Sequence, residues 1–300
     1  MKRNIFTLLL IFLSFSLGIT KGFADIHHIV VASDRHGNTT DMGTSSPIYT
    51  AMHGIYSNVN NAGGTVDYVC LDGDMVGSGG SDAPSFYSNI ILSEVGNAFS
   101  DTNSSPSQLT SDDVSIVYGS HDAGCNDDAA ILKCLDYSGQ IYEGKNIDGS
   151  VAYYIYGISY NSMIDNEEDG QSSFKSWVDG IDPSIPIIVI CHVPMHSSRG
   201  DNKGGLTWNK LINYAATGEE TTESGKTIIR NVFFLHGHNH TNEGNNEYYI
   251  PAGSSLYVQD SSSPVSSTIY YTYTTAGYLK ANTTATLISI DNRNITLTKY

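Results

Sequence analysis

Five apolar runs in this 300-residue chain stop abruptly at ionisable side chains, and that pattern limits the available folds more than any other feature. Residues 26–33 run into Asp34-Arg35-His36-Gly37, 66–71 into Asp72-Gly73-Asp74-Met75, and 114–118 into Gly119-Ser120-His121-Asp122. Residues 185–191 run into His192-Val193-Pro194-Met195-His196, and the stretch 231–240 closes on Gly237-His238-Asn239-His240. Short apolar runs bounded by turn residues read as buried strands. In open α/β sheets ligands bind beyond the carboxyl ends of the strands, so the side chains that close these runs are expected to meet at one edge.

The last run carries the most specific signal. If the chain stays extended past Gly237, His238 and His240 project to one side with Cα atoms roughly 6.5–7 Å apart. That span suits two metal ions roughly 3.5–4 Å apart, each about 2.1 Å from one imidazole. A single His in an apolar run is usually a satisfied core residue, as read here for His27 and His28, but a Gly-His-Asn-His tip favours ligation.

Between the runs, Ser46-Pro47 followed by Ile48, Met52, Ile55 and Val59 predicts a capped helix over 46–59. Further helices are expected within 83–99, around 173–178 and over 207–216, with a Tyr-rich strand at 151–160 and polar loop at 102–113. Residues 165–170 resemble the start of a calcium loop, but Ser176 stands where the bidentate Glu belongs, which argues against calcium. Beyond His240 the chain turns to Tyr, Thr and Val. It reads as antiparallel strands at 248–257, 268–274, 285–290 and 294–299, the last two joined by a turn at Asp291-Asn292-Arg293.

Residues 1–24 have a basic start, Lys2 and Arg3, an apolar core over 5–17, and no acidic residue before Asp25. The core is too short to span a bilayer. Gly22-Phe23-Ala24 offers a small-residue cleavage site, so 1–24 read as a secretion signal and 25–300 as one exported domain with no later membrane span. Loss of Lys2, Arg3 and Lys21 takes the basic count from 15 to 12 against 31 acidic residues, so the formal charge moves from −16 to −19. Such a surface repels long nucleic acid and fits a small anionic substrate better. Of the four cysteines, Cys125 and Cys134 flank a short polar loop and are the favoured pair, although the connectivity stays open. Cys70 and Cys191 lie inside apolar runs and read as small buried hydrophobes.

Taken together, the run-closing motifs resemble those of the calcineurin-like metallophosphoesterases: Asp-x-His, Gly-Asp, Gly-Asn-His-Asp/Glu, a lone His, and Gly-His-x-His. Here they stand as Asp34-Arg35-His36, Gly73-Asp74, Gly119-Ser120-His121-Asp122, His192 and Gly237-His238-Asn239-His240. The resemblance covers nearly all of 26–300 and implies two mixed β-sheets packed as a sandwich flanked by helices. It implies a secreted phosphoesterase that hydrolyses a monoester or diester with two divalent ions, Mn, Fe, Zn or Ni. Asp34, His36 and His240 look like ligands of one ion, His192 and His238 of the other, and Asp74 like the bridge. His121 looks like the acid for the leaving oxygen, with Asp122 beside it able to hold its ring. Arg35, Arg199 and Asn239 are the candidates for phosphate contact.

Ser120 departs from the pattern, because the family's Asn gives an amide oxygen to the second ion. The competing reading is therefore a secreted metal-binding protein of the same fold with weakened catalysis. Gly77 stands where purple acid phosphatases carry Tyr, so iron–tyrosinate chemistry is not expected. A two-domain 5′-nucleotidase is disfavoured because no second domain follows Tyr300 in this sequence.

Overall fold

The computed structural model describes residues 25–37, 45–77, 92–102, 109, 111–122, 133–134, 141–166, 170–196, 203–239, 249–260, 263–292 and 294–300. The expectations for residues 1–24, for the start of the helix at 83–91, and for Cys125, Arg199 and His240 fall outside them.

The elements in chain order are β1 (Ile26–Ala32), α1 (Pro47–Asn61), β2 (Tyr68–Asp72), α2 (Leu92–Thr102), β3 (Val114–Val117), β4 (Lys133–Cys134), β5 (Ile141–Lys145) and β6 (Val151–Gly157). There follow α3 (Tyr160–Ile164), α4 (Gln171–Asp179), β7 (Ile187–Ile190), α5 (Gly205–Thr217), β8 (Val232–His236), β9 (Tyr249–Ile250), β10 (Ser255–Asp260) and β11 (Ser263–Thr268). β12 (Thr272–Thr275), α6 (Leu279–Asn282), β13 (Thr286–Asp291) and β14 (Asn294–Lys299) complete the chain.

Two six-stranded mixed sheets result, ordered β14-β13-β1-β2-β3-β4 and β5-β6-β7-β8-β12-β9, with β10 and β11 as a separate hairpin. Alternation along each strand builds the layers. On β1, Val30 and Ala32 pack with Ile48, Met52 and Ile55 of α1, while Ile29 and Val31 face the other sheet. On β7, Ile187 and Val189 pack with Trp208 and Ile212 of α5, while Ile188 and Ile190 join the layer between the sheets. A strand covered on both faces must be apolar at every position, which is why these runs do not alternate in sequence. The architecture is helix, sheet, sheet, helix, as the motifs implied.

Local signals placed the helices well. Ser46 caps α1, its hydroxyl accepting the Tyr49 N–H at 3.0 Å, and Pro47 takes the first helical position, where its missing N–H costs nothing. Asp165 closes α3, Gly170 opens α4 and Ser176 is an ordinary residue of α4, while 167–169 of the stretch compared with a calcium loop fall outside the described residues. β5 was not foreseen, because Glu143 and Lys145 break its apolar pattern. It is an edge strand antiparallel to β6, and both charges face solvent.

The segment after His240 needs correction. The expected strand at 248–257 divides into β9 and β10, and β12 runs parallel to β8, with Thr272 opposite Phe233 and Thr275 opposite His236. β9 and the β10–β11 hairpin lie between β8 and β12 in the chain, a connection long enough for the crossover that a parallel neighbour needs. β13 and β14 are antiparallel as expected, Asp291 facing Asn294 across the turn at Asn292. Cys70 and Cys191 are buried as expected, the first between the sheets and the second beneath the helices of the second sheet.

Candidate metal centre

Loops leaving the carboxyl ends of β1, β2 and β3 in the first sheet meet those leaving β7 and β8 in the second. They bring Asp34, His36, Asp74, His121, His192 and His238 together. Four of these six, Asp34, His36, Asp74 and His238, have positive φ, at 57°, 46°, 49° and 69°. Such backbone is uncommon for residues with a Cβ and persists where its surroundings enforce it. The enforcement is visible. Asp34 N–H donates to the Gly73 carbonyl at 3.0 Å, His36 N–H to Asp74 at 2.9 Å and Gly37 N–H to Met75 at 3.1 Å, which sews the first loop to the second.

Four of the six donors, Asp34, Asp74, His192 and His121, are aimed by an anchor on the far side. Asp34 Oδ2 accepts the His238 N–H at 2.9 Å and lies 2.8 Å from the Ser33 hydroxyl. That leaves Oδ1 facing His36 Nε2 at 3.5 Å and His192 Nε2 at 4.0 Å. Asp74 Oδ1 accepts the His121 N–H at 2.8 Å. Its Oδ2 points inward, 3.1 Å from His192 Nε2 and 3.7 Å from His36 Nε2. His192 Nδ1 lies 2.8 Å from the Asp72 carbonyl, which fixes the proton on Nδ1 and presents Nε2 to the site. His121 Nδ1 is held in the same way by the Gly77 carbonyl at 3.0 Å.

These donors form two groups that fit a cation: His36, Asp74 and His121, and Asp74, His192 and His238, with all ligand atoms of a group within 4.8 Å of one another. Asp74 belongs to both. Imidazole nitrogen with carboxylate oxygen is the donor set of a divalent transition ion, and the centre is buried.

Charge supports this fit. Burial works against ionising both Asp74 and His192, but their mutual attraction wins. Asp74 is drawn down to about 2, and His192, beside Asp74 and Asp34, is held well above the usual imidazole range. In the metal-free chain, Asp74's contribution to stability is present above its unfolded value and is lost as pH falls through about 2. The contribution of His192 has the opposite sign: it is present below the unfolded imidazole value and lost as pH rises through the raised folded one. An ion entering the site must displace the His192 proton, so its affinity falls with acidity.

Several residues do not stand where the sequence put them. The chain does not stay extended past Gly237: β8 ends at His236, Asn239 N–H donates back to the Gly237 carbonyl at 2.9 Å, and His238 turns in through a left-handed backbone. Gly237 permits this because a Cβ there would lie 1.9 Å from Ser33 Oγ and 2.5 Å from Asp34 Oδ2. Asp122 does its anchoring on backbone. Its Oδ2 accepts the N–H of Asp74 at 2.7 Å and of Gly119 at 2.8 Å, and Oδ1 that of Met75 at 3.2 Å, whereas the His121 ring rests on Gly77. Ser120 Oγ lies 3.3 Å from Asp74 Oδ2, beside the shared carboxylate. Arg35, expected on substrate phosphate, is 1% exposed and turned inward onto Glu94. Asn239 is partly exposed beside His238.

The sequence reading passed over Ser33 and Asp72. Ser33 Oγ bridges the Asp72 carbonyl at 2.5 Å and Asp34 Oδ2 at 2.8 Å, and Asp72 carries the His192 ring on its backbone oxygen. Burial, with Asp34, Asp74 and Asp122 nearby, pushes the Asp72 carboxyl well up despite the opposing pull of His192. The Asp72-Gly73-Asp74 doublet was the available signal. Behind the centre, His236 Nδ1 donates to the Gly237 carbonyl at 3.1 Å, and Tyr273 takes the Met195 N–H at 3.0 Å and gives its own proton to His196 Nδ1 at 2.6 Å. Burial holds both rings neutral, His196 down at about 4.

Gly119 has no room for a side chain, since a Cβ would lie 2.3 Å from Asp74 Oδ1 and 2.7 Å from His192 Cδ2. Gly119→Ala is expected to cost about 1–3 kcal/mol in denaturant unfolding. Because the displaced atoms are donors, it is also expected to weaken Mn²⁺ binding about 10–100-fold by calorimetry.

No protein-family model matches the chain, and no curated protein matches it. Among solved structures it is similar to a 5′-nucleotidase from Candida albicans SC5314, with a TM-score of 0.41 and 10% sequence identity over 92% of this chain and 52% of that one. The chain thus spans about half the length of that protein.

Proposed function

We propose that this protein is an exported metal-dependent phosphoesterase with two divalent ions bridged by Asp74. The observation that carries the reading is that a single buried carboxylate belongs to both donor groups, its Oδ2 facing imidazoles from both sheets. Asp34 and His36 would hold one ion and His192 and His238 the other, with His240, which lies outside the described residues, proposed from its motif as a further ligand of the first. Ions in these positions would supply Lewis acidity and a water that ionises near neutral pH.

The chain's own residues do the rest. Asp34, His36, Asp74, His192 and His238 fix the charge that receives the phosphoryl oxygens, and the loop contacts hold these donors before substrate arrives. His121 keeps one proton on Nδ1 through Gly77, so a second proton, carried on Nε2, is the one available to the leaving oxygen. Asp122 fixes the Asp74 and Gly119 amides and so holds the bridge and the His121 loop in register.

Export is supported by the signal-like composition of residues 1–24, and no helix of the described residues is long and apolar enough to cross a membrane. A small or neutral-tailed phosphate ester is repelled less by the acidic surface than a polyanion is.

The test combines metal content by plasma emission with hydrolysis of p-nitrophenyl phosphate and bis-p-nitrophenyl phosphate. Close to two ions per chain and turnover of at least one ester are expected, and the ratio of the two rates sorts monoesterase from diesterase. Two ions without turnover would favour a metal-binding protein of this fold. No ion at all would sink the reading.

A further inference from the structure

Arg35 stands between two of the proposed ligands, yet its guanidinium points away from the ions. Nη2 lies 3.3 Å from Glu94 Oε1, with the two side chains 0% and 3% exposed. Glu94 sits in the first turn of α2, 59 residues further along the chain and outside every motif that marks the centre. The guanidinium folds beneath its own loop: a Cβ on Gly37 would lie 1.4 Å from Arg35 Nη1 and 2.3 Å from Cζ. Residues 34–37 therefore wrap around a cation that is fastened to a helix.

That position matters because the flanking Asp34 and His36 both have positive φ. Hydrogen bonds to the Gly73 and Asp74 carbonyls hold the loop from one side. The Arg35–Glu94 pair holds it from beneath. A charged pair this deeply buried is costly to desolvate, and an apolar pair of similar volume would do as well for stability alone. A charge-assisted contact from Nη2 to one carboxylate oxygen supplies what an apolar contact lacks, a defined direction.

We propose that Arg35 and Glu94 are positioning residues, a buried strut from α2 that sets Asp34 and His36 for the ion they hold. The inference rests on the two-ion reading of the centre, and Co²⁺ separates the two. Full-length metal-stripped protein would be titrated with Co²⁺, followed by calorimetry and visible absorption.

The wild type is expected to bind two ions. Glu94→Gln is expected to weaken one of them about 10–100-fold, with loss of its share of the absorption, and to leave the other unchanged. Because that variant removes the carboxylate charge facing the buried Arg35, the double variant Arg35→Met with Glu94→Met serves as its partner, keeping volume without charge. It is expected to melt close to wild type and still show the same weakened ion. Wild-type Co²⁺ binding in the double variant overturns the strut, as does equal weakening of both ions. A wild type that binds no Co²⁺ overturns the two-ion centre and the strut with it.

Discussion

Asp74→Ala is expected to abolish hydrolysis, a loss of about 10³-fold or more, and to leave one bound ion or none. Both donor groups use this carboxylate, so its removal takes a ligand from each at once. Several kcal/mol of charge stabilisation go with the ions, and each 1.36 kcal/mol is tenfold in rate. The fold should survive, because the Asp122 contacts are to the backbone N–H of Asp74 and its neighbours, which alanine keeps. The measurement is emission analysis of metal content beside initial rates on both p-nitrophenyl esters. Activity within tenfold of wild type, or two ions retained, would rule out a shared bridge.

His121→Ala should behave differently. Its backbone N–H to Asp74 Oδ1 is retained in the variant, so the bridge keeps its orientation and two ions should still bind. The lost imidazole is expected to slow substrates with poor leaving groups by about 10²–10⁴-fold and p-nitrophenyl esters far less, since that leaving oxygen hardly needs a proton. The geometry allows a rival role, because His121 also lies within ligand distance of His36 and Asp74. The two roles part cleanly in the data. Equal losses on both kinds of substrate together with a missing ion would make His121 a ligand.

Much of this centre could be read from the chain because each donor directly follows an apolar run, and the physics that buries such a run in a sheet also delivers its end to the sheet's edge. Asp34, Asp74, His121, His192 and His238 were singled out that way, and the structure brings them together. What could not be read was whatever depends on contacts between remote segments. Arg35 looked like a phosphate-binding cation because nothing local announces that Glu94 will lie beneath it. The direction of β12 was invisible because alternation fixes which face a residue takes and says nothing of which way the strand runs. The inward turn of His238 escaped because an extended strand is the default after an apolar run. The obstacle to it, the space taken by Ser33 and Asp34 beside Gly237, belongs to the loop after β1, some two hundred residues earlier in the chain. Asp122 was recognised but given the wrong neighbour, since adjacency in sequence favours the ring of His121 over the amides of a distant loop.

The donors divide by origin: Asp34, His36, Asp74 and His121 leave the first sheet, while His192 and His238 leave the second. Beneath them the sheets meet largely through apolar side chains, whose attraction has no direction, with hydrogen bonds such as Thr286 to the Thr275 carbonyl at the margin. Ions bridged by Asp74 would add a cross-link with fixed bond lengths at the rim of that seam, so that loading the centre also fastens one half of the molecule to the other. Metal present at about a hundred times its dissociation constant adds roughly 2.7 kcal/mol per site to the folded state. Chelation would therefore act as an unclamping of the two halves as much as an inhibition, and protease resistance would track metal supply in whatever compartment the protein occupies.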